Sequence, residues 1–292
     1  MQLKQALASA VARLTAENVP SPCLNAELLL KFVLDCDRAY LFAYPERELT
    51  QEEEARYEAA LAERSRGMPA QYITGHQEFW GMDLIVTSAV LIPRPETEHL
   101  VETALEIAKT EFGPRTSDLS GRRPALRIAD VGTGSGCIAL ALAQELPGAE
   151  IHATDISAAA LEIARANAAR HRLENRIRFH QKDLLEGLSG SFDMILSNPP
   201  YVGESERDQV QLEVRKFEPR IAVFAGSAGT EVIARLILQA KAALGPGGWL
   251  VMEISGTIVD DVRRLLQGWE DVQVTADLQS IPRVARARKR NS

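Results

Sequence analysis

The order of strand, glycine turn and helix in the middle of the chain constrains its fold more than any other feature. Residues 126–131 have the apolar character of a buried strand, and residues 138–146 have that of a buried helix. Gly132, Gly134 and Gly136 lie between them. Because glycine has no Cβ, this turn lets the backbone come close to a ligand at the amino end of the helix, as in dinucleotide-binding folds, although the glycine spacing differs from theirs. The feature therefore favours an α/β protein.

Acidic side chains stand where strands of such a protein are expected to end. Asp155 closes the strand predicted at residues 151–155, about twenty residues after the glycine turn, where dinucleotide folds carry an acid that grips ribose hydroxyls. We therefore predict nucleoside binding at the turn. Two roles fit Asp130, directly before the glycines: its carboxylate either accepts hydrogen bonds from the turn or lies near the ammonium group of a ligand.

A third acid, Asp183, follows the strand predicted at residues 178–181. Together with Leu184 it is suited to bracket an adenine, because the carboxylate accepts from an amino group while the leucine covers one face of the ring. The alternative is a carboxylate that only caps its own loop.

The stretch Ile-Leu-Ser-Asn-Pro-Pro-Tyr at 195–201 predicts a buried strand that delivers a reactive loop. Pro199 and Pro200 lack an amide hydrogen and end the strand, and a residue before proline is restricted to extended geometry, which constrains Asn198 at the strand's carboxyl end. If the Asn198 side-chain oxygen and the Pro199 carbonyl each accept one hydrogen of an incoming amino group, the nitrogen lone pair is left facing an electrophile, with Tyr201 as a flat wall. A proline-rich turn with a buried tyrosine is the alternative.

Helical periodicity dominates the first 75 residues. Apolar residues recur at helical spacing over 3–14, Ser21 and Pro22 predict the start of a second helix, and Thr50 with Glu53 predicts a capping box before a further one. We predict a small helical bundle at residues 1–75. Such a bundle serves either to dock a partner or only as a structural element.

Strands and helices alternate through the rest of the chain. Residues 76–92 change to an aromatic and aliphatic pattern around Gly81, which predicts a β-hairpin linker, and residues 93–292 form the main domain. Three strands predicted at 249–254, 272–276 and 283–287 join the four above in a seven-stranded, mainly parallel sheet. We further predict helices at 158–170, 231–243 and 259–266, a linker at 110–124, a flap at 203–220 and a turn at 245–248.

Composition argues against several classes of protein. A formal net charge of -7 over 292 residues disfavours direct DNA binding, and no apolar run reaches the roughly 18 residues that a membrane span needs. Three scattered cysteines form neither a disulfide framework nor a metal-ligand spacing. We expect a cytoplasmic protein without a metal. The basic tail at 283–290 is either a solvated edge strand or a contact for an RNA-bearing partner.

Taken in order, these motifs resemble those of class I S-adenosylmethionine-dependent methyltransferases, and more narrowly those of the PrmC/HemK family. The resemblance spans nearly the whole chain. It is carried by the helical N-terminus, the glycine loop, Asn-Pro-Pro-Tyr, Gln-Glu-Phe-Trp-Gly at 77–81 and Pro-Arg-Pro-Glu-Thr-Glu at 93–98. Asn-Pro-Pro-Tyr is shared with adenine methyltransferases, whereas the 93–98 stretch is more specific to the family.

The resemblance implies a Rossmann-like domain that moves a methyl group from S-adenosylmethionine to the side-chain nitrogen of the glutamine in the Gly-Gly-Gln motif of class I peptide-chain release factors. It also implies docking of the release factor on the N-terminal bundle, and we expect a monomer. The residues implied to contact the cofactor are Gly132, Thr133, Gly134, Ser135, Gly136, Asp155, Asp183, Leu184 and Asn198. Those implied to hold the glutamine amide are Asn198, Pro199, Pro200 and Tyr201, of which Asn198, Pro199 and Tyr201 are the predicted catalytic residues.

Three other functions compete with this one. A glutamine methyltransferase of a ribosomal protein would share most of the motifs, but the 93–98 stretch favours release factors. An adenine methyltransferase that acts on a flipped base would need a broad basic face and a target-recognition domain. A non-catalytic module that only binds S-adenosylmethionine would not need Asn198 and Tyr201, so the effect of Asn198→Ala on methylation distinguishes it from an enzyme.

Overall fold

A computed structural model shows the fold and describes residues 1–113, 125–277 and 279–291, so most of the linker predicted at 110–124 lies outside the described residues. Its helices are α1 (Leu3–Ala16), α2 (Pro22–Leu34), α3 (Arg38–Ala43), α4 (Gln51–Ser65), α5 (Ala70–Thr74), α6 (Glu98–Glu111), α7 (Cys137–Glu145), α8 (Ala158–Arg170), α9 (Leu212–Phe217), α10 (Arg220–Val223), α11 (Glu231–Ala243) and α12 (Val259–Leu265). Its strands are β1 (His76–Phe79), β2 (Met82–Ile85), β3 (Arg127–Val131), β4 (Glu150–Asp155), β5 (Ile177–Gln181), β6 (Phe192–Ser197), β7 (Leu244–Glu253), β8 (Glu270–Ala276) and β9 (Pro282–Arg288).

The first of two compact units consists of Met1–His76 together with Gln211–Phe217. Helices α1, α2 and α4 contribute most of its aliphatic core. The predicted capping box is present at the start of α4: the Thr50 hydroxyl accepts from the Glu53 amide at 3.2 Å, and the Glu53 carboxylate accepts from the Thr50 amide at 2.9 Å. Ser21 precedes α2 as predicted, but its side chain makes no capping hydrogen bond.

One buried arginine joins the two lengths of chain that make up this unit. Arg64 is only 4% exposed, and its guanidinium pairs with the Glu213 carboxylate at 2.9 Å. It also donates to the Asn25 side-chain oxygen at 2.7 Å and to the Met68 carbonyl at 3.0 Å. These partners satisfy a charge that would be costly to bury alone, which fixes the Gln211–Phe217 segment within the unit.

The second unit, Gln77–Val210 with Glu218–Ser292, contains the sheet. Its seven strands lie in the order β5-β4-β3-β6-β7-β9-β8, and all are parallel except β9, which runs antiparallel to both of its neighbours. The predicted seven-stranded, mainly parallel sheet is confirmed. Its strand order reverses between β3 and β6, and the carboxyl ends of parallel strands at such a reversal form the crevice where α/β proteins bind ligands.

Alternation along the strands divides the interior of this unit into two cores. Ile128 and Met194 belong to one core with α6 and α7, whereas Ala129 and Ile195 point to the opposite face and belong to another with α11 and α12. Successive side chains of a strand face opposite ways, so a strand covered by helices on both faces is apolar at every position. This explains why the middle of β6 reads as a continuous apolar run.

Two predicted boundaries are wrong. The turn predicted at 245–248 is part of β7, which begins at Leu244, because the Gly247 amide donates to the Lys289 carbonyl at 3.1 Å and the Gly248 carbonyl accepts from the Lys289 amide at 2.8 Å. Pairing with the chain after β9 thus extends the ladder through the glycines. The hairpin predicted at 76–92 is present, but its second strand ends at Ile85.

The basic tail lies largely in β9, and its cations have partners on neighbouring strands and helices. The ion pairs are Arg283–Asp277, Arg286–Glu106, Arg288–Asp271 and Arg290–Glu270. These contacts favour a structural role over RNA contact, but the predicted edge position is wrong, because β9 pairs with both β7 and β8 and β8 is the edge strand. Within the described ranges, none of the helices is long and apolar enough to cross a membrane.

Candidate active site

A pocket opens at the crevice beside the carboxyl ends of β3, β4 and β6. It brings together most of the residues that the sequence analysis singled out, namely Gly132, Thr133, Gly134, Ser135, Asp155, Asp183, Leu184, Asn198 and Pro200. Three described residues that were also predicted as site residues do not line the pocket: Gly136, Pro199 and Tyr201. The pocket therefore joins the glycine turn, the strand-end acids and the start of the Asn-Pro-Pro-Tyr loop at one edge of the sheet.

The glycine turn is held by backbone hydrogen bonds. The amides of Gly132 and Thr133 both donate to the Thr154 carbonyl at 2.9 Å, which ties the turn to β4. Gly132, Gly134 and Gly136 all have positive φ angles, which other residues rarely adopt. A Cβ at Gly132 or Gly134 would meet no atom within 4 Å, whereas one at Gly136 would lie 3.2 Å from a side chain of α8. The first two glycines thus leave the turn open, and the third permits close packing.

Asp155 already supports the turn through its carboxylate. One oxygen accepts from the Gly134 amide at 2.9 Å, and the other accepts from the Ser157 amide at 2.8 Å. Burial raises the pKa of this carboxyl group, and the two amide hydrogen bonds oppose that rise. Each carboxylate oxygen can accept more than one hydrogen bond, so the side chain retains acceptor capacity toward the pocket.

Asp130 lies fully buried beneath the turn. One of its oxygens accepts from the Thr133 hydroxyl at 2.6 Å and from the Ala139 amide at 3.2 Å, while the other has no hydrogen-bond partner. Burial raises the pKa of Asp130 to about 7. Of the two roles that the sequence left open, these contacts favour the hydrogen bonds to the turn.

Asp183 and Leu184 line the pocket from the loop after β5. The Asp183 carboxylate pairs with Arg235 of α11 at 2.5 Å, and Arg235 itself lines the pocket. Leu184 adopts a positive φ of 54°, an uncommon conformation that the Leu185 amide's hydrogen bond to Gln239, at 2.8 Å, helps to hold. Arg235 was not predicted as a site residue, because its position in a helix gives no sign that it reaches this loop.

Asn198 leaves β6 at the pocket edge with its carboxamide nitrogen anchored. Its Nδ2 donates to the Thr97 hydroxyl oxygen at 3.1 Å, and the Thr97 hydroxyl donates in turn to the Glu253 carboxylate at 2.6 Å. The Tyr201 hydroxyl donates to the other oxygen of Glu253 at 3.3 Å. Residues 198 and 201 are thus joined through one buried carboxylate.

Thr97 and Glu253 were not predicted as site residues. The one available signal was a lone acid in the apolar run Leu-Val-Met-Glu-Ile at 250–254, since an unpaired charge is expensive to bury and such an acid implies nearby donors. Burial raises the pKa of Glu253, and the hydroxyls of Thr97 and Tyr201 oppose that rise. Burial also raises the pKa of Tyr201, which keeps its hydroxyl protonated as a donor.

The end of the stretch predicted as a flap at 203–220, and the residues directly after it, also reach the pocket. Pro219 and Ile221 line it, and the preceding Glu218 is buried. The Glu218 carboxylate pairs with Arg94 at 2.5 Å and accepts from the Ile92 amide at 3.2 Å. The 93–98 stretch therefore holds this wall of the pocket through Arg94 while it supports Asn198 through its threonine.

Comparison with known proteins finds similar sequences over the whole chain. The family model described as the PrmC N-terminal domain matches residues 5–75, and that described as the methyltransferase small domain matches residues 117–216. A protein of Koribacter versatilis named release factor glutamine methyltransferase is 53% identical, over 100% of both chains. A protein of the same name from Chlorobaculum tepidum is 41% identical, over 95% of this chain and 94% of that one.

Solved structures support the fold. A Thermus thermophilus 16S rRNA methyltransferase, solved with AdoMet and guanosine, superposes with a TM-score of 0.51 at 20% identity, over 74% of this chain and 50% of that one. At this identity the likeness concerns the fold alone. The full-length relatives decide the classification: the chain belongs to the release factor glutamine methyltransferase family.

Proposed function

We propose that this protein transfers the methyl group of S-adenosylmethionine to the side-chain amide nitrogen of the glutamine in the Gly-Gly-Gln motif of class I peptide-chain release factors. The names of its full-length relatives support the substrate, and the AdoMet complex of a similar fold supports the donor. One observation carries the chemistry. The Asn198 carboxamide is held at the pocket edge by its nitrogen, which leaves its oxygen available to an incoming amino group.

The residues around the glycine turn fit a nucleoside cofactor. The open space beside Gly132 and Gly134 admits a ligand against the backbone, and the spare acceptor capacity of Asp155 suits a pair of ribose hydroxyls. Ile156 and Leu184 give the same pocket apolar surfaces suited to the faces of an adenine. When bound, S-adenosylmethionine supplies a methyl group on a positively charged sulfur, so the leaving group needs no further activation.

The contribution of the chain to the reaction is mainly positioning. The lone pair of an amide nitrogen is delocalised into the neighbouring carbonyl group, which makes it a poor nucleophile. The Asn198 oxygen and the Pro199 carbonyl each accept one hydrogen of the glutamine NH₂ group, which fixes the nitrogen with its lone pair toward the methyl group for in-line displacement. Tyr201 supplies the wall beside the amide. The nitrogen then loses a proton, for which solvent is the acceptor.

The remaining assignments follow from the same proposal. Residues 1–75 dock the release factor, residues 76–92 link this bundle to the rest of the chain, and residues 93–292 carry the methyltransferase activity. The protein works as a cytoplasmic monomer without a metal. Sedimentation equilibrium of the purified protein checks the oligomeric state, and activity after treatment with a chelator checks the metal.

Mass spectrometry of an unmethylated release factor tests the function directly. After incubation with the protein and S-adenosylmethionine, we expect one added methyl group on the glutamine of Gly-Gly-Gln. Asn198→Ala should not form this product but should still bind the cofactor, because the substitution leaves the glycine turn and Asp155 unchanged. Isothermal titration of S-adenosylmethionine into the variant measures the binding.

A release factor with Gly-Gly-Ala in place of Gly-Gly-Gln is the matched substrate control and should take up no methyl group. Methylation of a ribosomal protein or of DNA instead, under the same conditions, would retain the amide chemistry of Asn198 and contradict the proposed substrate. Full activity of Asn198→Ala would contradict the mechanism.

A further inference from the structure

The buried carboxylate of Glu253 contacts the reactive loop, and the mechanism proposed above gives this carboxylate no role. Glu253 is the last residue of β7 and only 1% exposed. Both of its oxygens are engaged, one by the Thr97 hydroxyl at 2.6 Å and the other by the Tyr201 hydroxyl at 3.3 Å. The carboxylate therefore contacts Thr97, which supports Asn198, and Tyr201, which belongs to the loop, but it does not itself line the pocket.

The chemistry of Glu253, Thr97 and Asn198 sets the direction of the two hydrogen bonds that link these side chains. An ionised carboxylate only accepts, and a hydroxyl has one proton to donate. Thr97 gives its proton to Glu253, so at Asn198 the Thr97 oxygen has to act as the acceptor. Only the nitrogen of the Asn198 carboxamide can donate to it, and the carboxamide oxygen is consequently turned away from Thr97.

This direction matters because a carboxamide can rotate by half a turn with little change in shape. With its oxygen toward the substrate, Asn198 accepts a hydrogen from an amino group. With its nitrogen there, it would present donors to a group that is also a donor, and the glutamine amide would lose its orientation. Burial raises the pKa of Glu253, whereas the Thr97 hydroxyl, the positive charge of Arg283 and the Tyr201 hydroxyl oppose that rise. The productive direction belongs to the ionised form of the carboxylate, which these three groups stabilise.

We propose that Glu253 is a positioning residue for the methyl transfer: acting through the Thr97 hydroxyl, it sets which atom of the Asn198 carboxamide faces the substrate. This inference rests on the proposed function. Loss of the hydroxyl should lower kcat by about 100-fold, the order expected when a reacting group is misplaced, while the affinity for S-adenosylmethionine stays unchanged.

Three substitutions test the proposal on the full-length enzyme. Thr97→Val keeps the shape and removes the hydroxyl, so kcat should fall and the KM for the release factor should change far less. Thr97→Ser keeps the hydroxyl and should recover most of the lost rate. Thr103→Val is the matched control, because Thr103 is a buried threonine of α6 whose hydroxyl donates only to the His99 carbonyl. It should leave the rate unchanged.

A double-mutant cycle between positions 97 and 253 tests the coupling. Glu253→Gln introduces a donor that competes for the Thr97 oxygen, so it should also lower kcat, and the double variant with Thr97→Val should be no slower than the slower single variant. Additive losses would show that Glu253 does not act through Thr97. Equal inactivity of Thr97→Ser and Thr97→Val would show that the position matters for packing only. Either result would overturn the proposal.

A measurement on the wild-type enzyme tests the orientation of the Asn198 carboxamide even if the variants fail to fold. In NMR spectra of the wild-type enzyme, the Asn198 side-chain NH₂ protons should show nuclear Overhauser effects to Thr97, since the nitrogen faces its hydroxyl. Their absence would refute the orientation. If the wild-type enzyme methylates no release factor, the proposed function fails, and this NMR result still decides the orientation of the carboxamide.

Discussion

The carboxyl group of Asp130 should contribute more to the stability of the protein in mild acid than at neutral pH. Its carboxyl group is fully buried, and one oxygen has no hydrogen-bond partner, so the charged form is penalised in the folded state. The difference between a folded-state pKa of about 7 and the usual 3.8 corresponds to about 4 kcal/mol of free energy at high pH.

The sign follows from proton binding. Between about pH 4 and pH 7 the folded state binds more protons at Asp130 than the unfolded state does, so the free energy of unfolding falls as the pH rises through this window. The penalty is complete above the folded-state pKa and absent below the unfolded-state pKa. In Asp130→Asn it disappears, because an amide does not titrate, while its oxygen can still accept from Thr133 and Ala139.

Urea unfolding of the wild type and of Asp130→Asn at several pH values measures the effect. The free energy of unfolding of the wild type, minus that of the variant, should rise by roughly 3 kcal/mol from about pH 8 to about pH 5. Asp155 and Glu253 also have raised pKa values, but both proteins contain them, so their contributions cancel in the difference apart from the repulsion between Asp155 and Asp130. A difference that stays constant over this range, or falls toward acid, would refute the reasoning.

Three further substitutions test other contacts by urea unfolding. Gly136→Ala should destabilise the protein by about 2 kcal/mol, since its φ is +85° and the new Cβ would lie 3.2 Å from that of Ala164; an unchanged stability would contradict this. Tyr57→Phe should cost about 1 kcal/mol through the loss of a buried hydroxyl bond to a backbone carbonyl, and faster hydrogen exchange confined to the first unit should accompany it. Arg94→Met should cost about 3 kcal/mol by removing the cation beside the buried Glu218 carboxylate, whereas a neutral result would show that the pair contributes little.

Sequence reasoning located the parts of the site that depend on local order. The glycine turn, Asp155 and the Asn-Pro-Pro-Tyr loop each follow a strand, and a parallel sheet brings the carboxyl ends of its strands to one edge. Their meeting at one pocket is therefore a consequence of strand order, which the alternation of strands and helices already indicates.

The contacts that orient those residues depend on packing between distant parts of the chain, and the sequence does not disclose them. Thr97 and Glu253 are 156 positions apart, and nothing in either local pattern relates them. The pairing of Asp183 with Arg235 is of the same kind. The extension of β7 through its glycines was missed for a similar reason, because it needs a partner segment after β9 that only the folded sheet provides.

The two-part construction of the first unit has a consequence for how the protein is made. Its helices near the N-terminus are synthesised early, but Arg64 reaches its carboxylate partner only after Glu213 has left the ribosome. Until then Arg64 of a nascent chain lacks this ion-pair partner. The unit therefore cannot complete its folding before the Gln211–Phe217 segment has been synthesised, as a domain made of one contiguous segment could. For the same reason, shortening the gene to its first 76 codons would not release an intact domain, and exchanging this unit between relatives would require two grafts rather than one.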